Sequence, residues 1–379
     1  MSASELACAI AIGVIGWTWL GYPAVIWLLS RFRVEASSVA PDRLPTVTAV
    51  LASRDDADSI AARVADFLAA DYPAESLNVV VGVDGASDDM LAAIRAACCP
   101  QRVTIVPADA GGGKVAGLNA AVRAATGEVL VFSDIQQRFA PDAVRILATR
   151  LASDARLSVV GGALQLPGDL PAAEGRSPVY WYWVLERQLR AAEARLHSSV
   201  GVSGSIYAMR RAQWHPMPSH LILDDVWLPM RLVMGGGRVG YDLAAKAWDA
   251  RSSTVAAEKV RKVRTLTGNF QLMAWLPGVL VPFRNPIWLQ FVSHKLLRLM
   301  TPWLLMILAI GMSGVLLERI GSTAMLRLLG AAGLAAVLVL LWPTARGKAL
   351  RVTGWVWSLQ VALVEATMNG MRGRWDVWR

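Results

Sequence analysis

The feature that most restricts the fold is a run at residues 111–144, GGGKVAGLNAAVRAATGEVLVFSDIQQRFAPDAV. A glycine run closes on Lys114. Residues 118–125 are small, apolar and compatible with a helix, which Thr126-Gly127 ends. Residues 129–132 form a short apolar run, the pattern of a buried parallel strand. Asp134 comes just past the carboxyl end of that strand, where open α/β sheets place their ligands.

The same alternation recurs on both sides. Residues 46–52 (TVTAVLA) read as the first strand and lead into Ser53-Arg54-Asp55-Asp56. Residues 59–70 form an amphipathic helix with Ile60, Val64, Phe67 and Leu68 on one face. Residues 77–83 are a second buried strand, closed by Asp84-Gly85-Ala86-Ser87-Asp88-Asp89, and residues 103–106 a third. Further strands are predicted at residues 159–166 and 238–242, turn and strand at 200–210, and helices at 178–196, opened by Ser177-Pro178, and at 258–273. Strands alternating with helices imply a doubly wound, mostly parallel sheet. Asp55, Asp84, Asp88 and Asp134 all fall at strand ends. A core strand end needs no carboxylate, so this set points to a site, although Asp88 also reads as a helix-capping turn residue. Gly201, Ser203, Gly204 and Ser205 let backbone approach a ligand closely. Asp224-Asp225 stand at the head of an apolar helix, where they read as a functional pair or as caps.

Outside these segments the chain is apolar and basic. It is 55% hydrophobic with 16 Trp and a formal charge of +9, against about 45–50% apolar in typical soluble domains. Residues 6–30 carry no charged side chain and exceed the roughly 20 residues that cross a bilayer. Arg31, Arg33 and Arg43 follow, so the positive-inside rule puts the next domain in the cytoplasm. Residues 36–45 read as a polar linker. Residues 275–291 are rich in Trp and broken by Pro277, Pro282 and Pro286, which suits an interfacial segment. Two more spans are predicted at residues 296–317 and 324–342, and residues 352–371 fit either a span or an interfacial helix. No basic run is interleaved with aromatics as nucleic-acid binding requires. Cys8, Cys98 and Cys99 suit neither a disulfide framework nor a zinc site. Residues 108–115 fail the P-loop pattern at Ala108 and Val115, and no Gly-x-Gly-x-x-Gly follows the first strand.

Gly113-Lys114, Gly117-Leu118-Asn119, Gly127-Glu128, Asp134-Ile135-Gln136 and Pro141-Asp142-Ala143 together resemble the core of the family 2 glycosyltransferases. The resemblance covers roughly residues 45–275. It implies an α/β GT-A domain with transmembrane and interfacial α-helices, related to the group that includes cellulose, chitin and hyaluronan synthases. It implies an inverting transfer from a nucleoside diphosphate sugar, usually UDP-linked, to a lipid or membrane-associated glycan. By the same resemblance Asp84, with Asp55 beside it, contacts the nucleotide, and Lys114 meets the diphosphate. Asp134 and Gln136 would hold Mg2+ or Mn2+, Gln136 standing where the family has a second carboxylate. Asp224-Asp225 matches the family's acidic pair, with Asp225 as the general base. Ser203 and Gly204 join the substrate-binding set, and Arg264 matches the arginine that stabilises the leaving diphosphate. Arg261 and Thr265 depart from the processive members' Gln-x-x-Arg-Trp, and the missing Trp removes their aromatic platform for an acceptor sugar.

The expected organisation is a transmembrane helix at residues 1–33, a cytosolic GT-A domain at 34–273, an interfacial segment at 274–293 and a transmembrane region at 294–379. The expected location is a bacterial inner membrane, with a multi-pass chain, a cytoplasmic catalytic domain and no nucleic-acid partner. A processive polysaccharide synthase, a catalytically inactive membrane scaffold and a transporter are the competing readings. Strand-end carboxylates in a cytosolic domain argue against the transporter.

Overall fold

The structure is a computed structural model that describes residues 1–33, 41, 43–98, 101–109, 111–165, 178–249, 255–341 and 343–376. Ser177, Cys99 and most of the linker at 36–45 lie outside these residues. The chain divides into two compact units, one made of residues 26–253 and 271–288, the other of residues 1–25, 254–270 and 289–379.

At the N-terminus, α1 (Ala3–Gly16) and α2 (Tyr22–Arg31) are joined by a π-helical turn at Trp17–Gly21. The larger unit then forms β1 (Val47–Ser53), α3 (Ala57–Leu68), β2 (Leu77–Asp84), α4 (Asp88–Ala97), β3 (Val103–Ala108), α5 (Gly113–Ala124), β4 (Val129–Ser133) and β5 (Gln137–Phe139). It continues with α6 (Ala143–Ser153), β6 (Leu157–Gln165), α7 (Pro178–Leu196), β7 (Tyr207–Arg210), α8 (Asp224–Met234) and β8 (Arg238–Asp249). The strands make one sheet in the order β3-β2-β1-β4-β7-β6-β8-β5.

β1, β2, β3 and β4 pair in parallel, as do β6 and β8. The sheet as a whole is mixed rather than mostly parallel. β7 runs antiparallel to both β4 and β6, and β5 runs antiparallel to β8. The cause is local. Only Tyr207–Arg210 pairs as a strand, because Ser203 and Ile206 close a tight turn just before it, and this reverses the chain against β4. Residues 200–210, read as turn and strand, hold the Ser203–Ile206 turn followed by β7.

The apolar periodicity decides which face each helix covers. Ala49, Leu51, Val79 and Val81 alternate onto one face, where they share a core with Ile60, Val64 and Phe67 of α3, Leu91 and Ile94 of α4, and Leu147 and Leu151 of α6. Burying each of the Val, Leu, Ile and Phe side chains contributes about 1.5–3 kcal/mol. Gly82 points to the opposite face, and there α5 crosses almost backbone to backbone. A Cβ on Gly82 would lie 2.0 Å from the Gly117 carbonyl oxygen, and one on Gly117 would lie 2.9 Å from Ala52 Cβ. α5 begins at Gly113, five residues earlier than the sequence predicts, so Lys114 sits in its first turn and not in a loop.

In the smaller unit, α9 (Val255–Trp275) enters with residues 255–270, and α10 (Trp288–Phe291) leaves the larger unit for it. α11 (Leu297–Leu299), α12 (Thr301–Leu341) and α13 (Pro343–Met371) complete the chain. Among the described residues, two helices are long and apolar enough to cross a membrane, Ala3–Arg31 and Thr301–Leu328. They pack closely, since a Cβ on Gly311 would lie 2.8 Å from Cys8 Sγ and one on Gly314 would lie 2.5 Å from Ser4 Oγ. Small residues at such a crossing let membrane helices approach. Residues 301–317 and 324–341 of the two predicted spans fall on one helical run, interrupted at Gly321 by a left-handed φ of 73°.

Candidate active site

Four segments of the larger unit meet around one ammonium group. Lys114 Nζ lies 3.0 Å from Asp134 Oδ1 and 3.2 Å from Asp224 Oδ2. Asp134 is the first residue past β4, and Asp224 opens α8. Asp225 follows, and its Oδ2 accepts the Gly204 N–H at 3.0 Å. Gly204 sits beside both Asp225 and Lys114, since a Cβ there would lie 3.4 Å from both Asp225 Oδ2 and Lys114 Nζ. Ser205 Oγ donates to Asp134 Oδ2 at 3.4 Å, and the Asp225 carbonyl accepts the Val202 N–H at 3.0 Å. No side chain caps the first turn of α8, so Asp224 and Asp225 are not used as helix caps. Buried Gln271 secures the approach to α8, accepting the Ile222 N–H at 2.8 Å and donating to the His220 carbonyl at 3.0 Å.

The electrostatics follow from this geometry. Burial pulls the Lys114 ammonium down, but the charges of Asp134, Asp224 and Asp225 outweigh it and hold the group well above an ordinary lysine. Asp225 is raised above the usual carboxylate range, first by burial and then by the neighbouring charge of Asp224, against the opposing effects of Lys114, the Gly204 N–H and Arg190. A carboxylate in that state takes up a proton more readily than a solvated one, which suits a general base.

A fourth carboxylate, Asp84, stands at the first residue of α5, Gly113. Asp84 is 6% exposed. Its Oδ2 accepts from Arg54 Nε at 2.6 Å and from the Gly113 N–H at 3.1 Å. Its Oδ1 is buried and has no hydrogen-bond partner among the described residues. An orphaned buried acceptor of this kind is costly unless a ligand donor reaches it. Asp55 is held in its own turn, exchanging hydrogen bonds with Ser53 Oγ at 2.9 and 3.0 Å.

The structure thus brings together Lys114, Asp134, Asp224, Asp225 and Gly204, with Asp84 joined to them through Gly113. Ser203 contributes its backbone to the turn that carries Gly204. Gln136 is half-buried beside β5, and Asp88 is exposed at the start of α4, which Ser87 caps. Arg264 belongs to α9, in the other compact unit. Sequence reasoning missed two groups. Tyr207 is buried with no hydrogen-bond partner for its hydroxyl among the described residues, and it is raised by burial and then by the charges of Asp224, Asp225 and Asp134. Arg190 donates to Glu186 Oε1 at 3.1 and 3.2 Å and contributes to the field at Asp225. Only the i,i+4 spacing of Glu186 and Arg190 carried a sequence signal.

A divalent cation fits this donor set in one way. No group of three or more His, Cys, Asp or Glu among the described residues could hold an ion by itself. The carboxylates around Lys114 nonetheless leave an excess of negative charge. Asp134, with Gln136 two residues on, suits a hard cation that takes most of its ligands from phosphate oxygens and water.

The comparisons with known proteins agree with this architecture. A family model described as "Glycosyltransferase like family 2" matches residues 45–268. The mannosyltransferase PcManGT from Pyrobaculum calidifontis, solved in complex with GDP-Man and Mn2+, superposes with a TM-score of 0.68 at 20% identity, over 97% of this chain and 99% of its own. A mycobacterial protein aligns over 66% of this chain and 77% of its own at 16% identity, with a TM-score of 0.40 that carries no argument. No curated protein sequence matches. The sheet is GT-A-like, mixed in direction and accompanied by long helices.

Proposed function

The chain belongs to the glycosyltransferase-like family 2 and uses a nucleotide-sugar donor, and on that premise we propose that it moves the sugar, with inversion, to a lipid or membrane-associated glycan at the cytoplasmic face of a bacterial inner membrane. The observation that carries this reading is the single cluster of Lys114, Asp134, Asp224 and Asp225.

In this reading the Asp225 carboxylate accepts the proton of the acceptor hydroxyl as the oxygen attacks the anomeric carbon. Attack comes from the face opposite the diphosphate, so the configuration inverts. Lys114 offers its ammonium to the diphosphate as charge develops on the leaving oxygen. Arg264 is proposed to assist there by charge-assisted hydrogen bonds. Asp134 and Gln136 would hold Mg2+ or Mn2+, which neutralises diphosphate charge when bound. Asp55 and Ser203 would border the donor, and Asp224 would orient Lys114.

Asp84 supports a uracil donor. With Oδ2 committed to Arg54 and Gly113, one buried oxygen is left, which matches the single imino N–H of uracil. The mannosyltransferase from P. calidifontis carries GDP-Man, so guanine is the second reading. The paired apolar helices Ala3–Arg31 and Thr301–Leu328, and fully exposed Phe283 in the proline-broken segment, support an acceptor drawn from the membrane surface. Thr265, where processive members have Trp, favours a single transfer over polymer extension.

Membranes containing the protein, incubated with labelled UDP- and GDP-sugars and fractionated into lipid and polymer products, test the reading. One donor should label the lipid fraction with a single sugar. A ladder of products would favour a synthase, and no incorporation from any donor would favour an inactive scaffold.

A further inference from the structure

Arg63 stands where a core position would ordinarily hold an aliphatic residue. It lies on the sheet-facing side of α3 and is 0% exposed. Its guanidinium carbon sits 4.0 Å from the Phe67 ring centroid and 4.5 Å from that of Phe139, so two aromatic faces fix the plane of the group. One nitrogen pairs with Asp66. Another, Nη2, donates to Ser133 Oγ at 2.8 Å. The Ser133 hydroxyl, accepting there, passes its own proton forward to the Asp134 carbonyl at 2.9 Å. Across the same turn, Arg138 donates to the carbonyls of Ile135 and Gln137 at 3.2 and 3.3 Å.

We propose that Arg63 is a positioning residue for the cation-bound donor: from inside the core it fixes Ser133, and through Ser133 the turn that presents Asp134. The proposal rests on the functional reading above, in which Asp134 meets the cation. Packing alone does not account for an arginine here. A buried ion pair is often matched or bettered in stability by well-packed apolar side chains. Its charge is also poorly tolerated, since burial and then the charge of Arg138 pull Arg63 down to about 9 despite the nearby charge of Asp134. The group is held in spite of that cost, and its forward hydrogen bond ends on the backbone of Asp134. Asp66 is 26% exposed, so removing Arg63 leaves no sealed, unpaired carboxylate.

The test uses the full-length protein, with Arg63→Met, which keeps the volume, and Ser133→Ala, which breaks the same relay from its other end. Thermal unfolding is followed, and calorimetry measures binding of UDP and of GDP, each with and without Mn2+. The expected result is an Arg63→Met melting temperature equal to or above wild type. Affinity for the Mn2+–nucleotide should fall about 10–100-fold in both variants, with metal-free nucleotide affinity unchanged. Should Arg63→Met fail to fold, Ser133→Ala decides by the same split. Wild-type Mn2+–nucleotide affinity in the folded variants would overturn the proposal, as would an equal loss of metal-free binding. If wild type itself binds neither nucleotide, the functional reading falls first and this proposal with it.

Discussion

Lys114 and Arg63 are both cations set against the turn that carries Asp134, and the protein neutralises them in opposite ways. Arg63 is closed off by one carboxylate, one hydroxyl and two aromatic rings, all from its own core. Lys114 is surrounded by more carboxylates than one ammonium can balance, and one of them, Asp225, is raised as a result of its burial and its neighbour. The Arg63 charge is met from within the core except at Nε, which has no hydrogen-bond partner among the described residues. In the proposed function, a cation with its phosphate and an acceptor proton complete the carboxylate cluster around Lys114.

The sharpest way to break this contrast is to remove the base. Asp225→Asn should lower turnover by about 10²–10⁴-fold while donor binding, measured by calorimetry, persists. Normal turnover would leave the cluster without its catalytic member. Next in size is Lys114→Met, which removes a charge-assisted contact of about 1.5–3 kcal/mol. Steady-state kinetics should show it as a lowered kcat together with a raised donor KM. A third effect probes the frame: Gly82→Ala forces a Cβ against the Gly117 carbonyl, and overpacking of this kind costs about 1–3 kcal/mol. A lowered melting temperature would be its signature, with Lys114 carried out of register as α5 shifts. Smallest is a change in pH dependence. Asp225 must be deprotonated to act, and its pKa is raised, so activity should fall on acidification through a point above the ordinary aspartate value of 3.8. Asp224→Asn removes the like charge, and the acid limb of the kcat profile should move to lower pH.

Much of the frame was legible because periodicity reports burial. The runs at 46–52, 77–83 and 129–132 became β1, β2 and β4 within a residue or two. Direction was less legible. VGVSGSIYAMR reads as turn and strand, but nothing there announces that the strand, β7, runs antiparallel to β4. The start of α5 was misplaced because three glycines carry no helix propensity, whereas in the fold Gly111 and Gly113 take the left-handed φ that opens the helix. At the site, the motif residues were visible as types and spacings. Their meeting on one ammonium was not, since it depends on β4 and α8, far apart in sequence, converging on the first turn of α5. Arg63 was invisible for the opposite reason: in an amphipathic helix a lone arginine reads as surface.

Manganese binding measures the central claim most directly. Full-length protein is titrated with Mn2+ and followed by electron paramagnetic resonance, with and without UDP or GDP. If the cluster awaits a cation that brings its own phosphate ligands, tight manganese binding appears only with nucleotide and disappears in Asp134→Asn. Manganese bound equally well without nucleotide, or held unchanged by Asp134→Asn, would contradict the account.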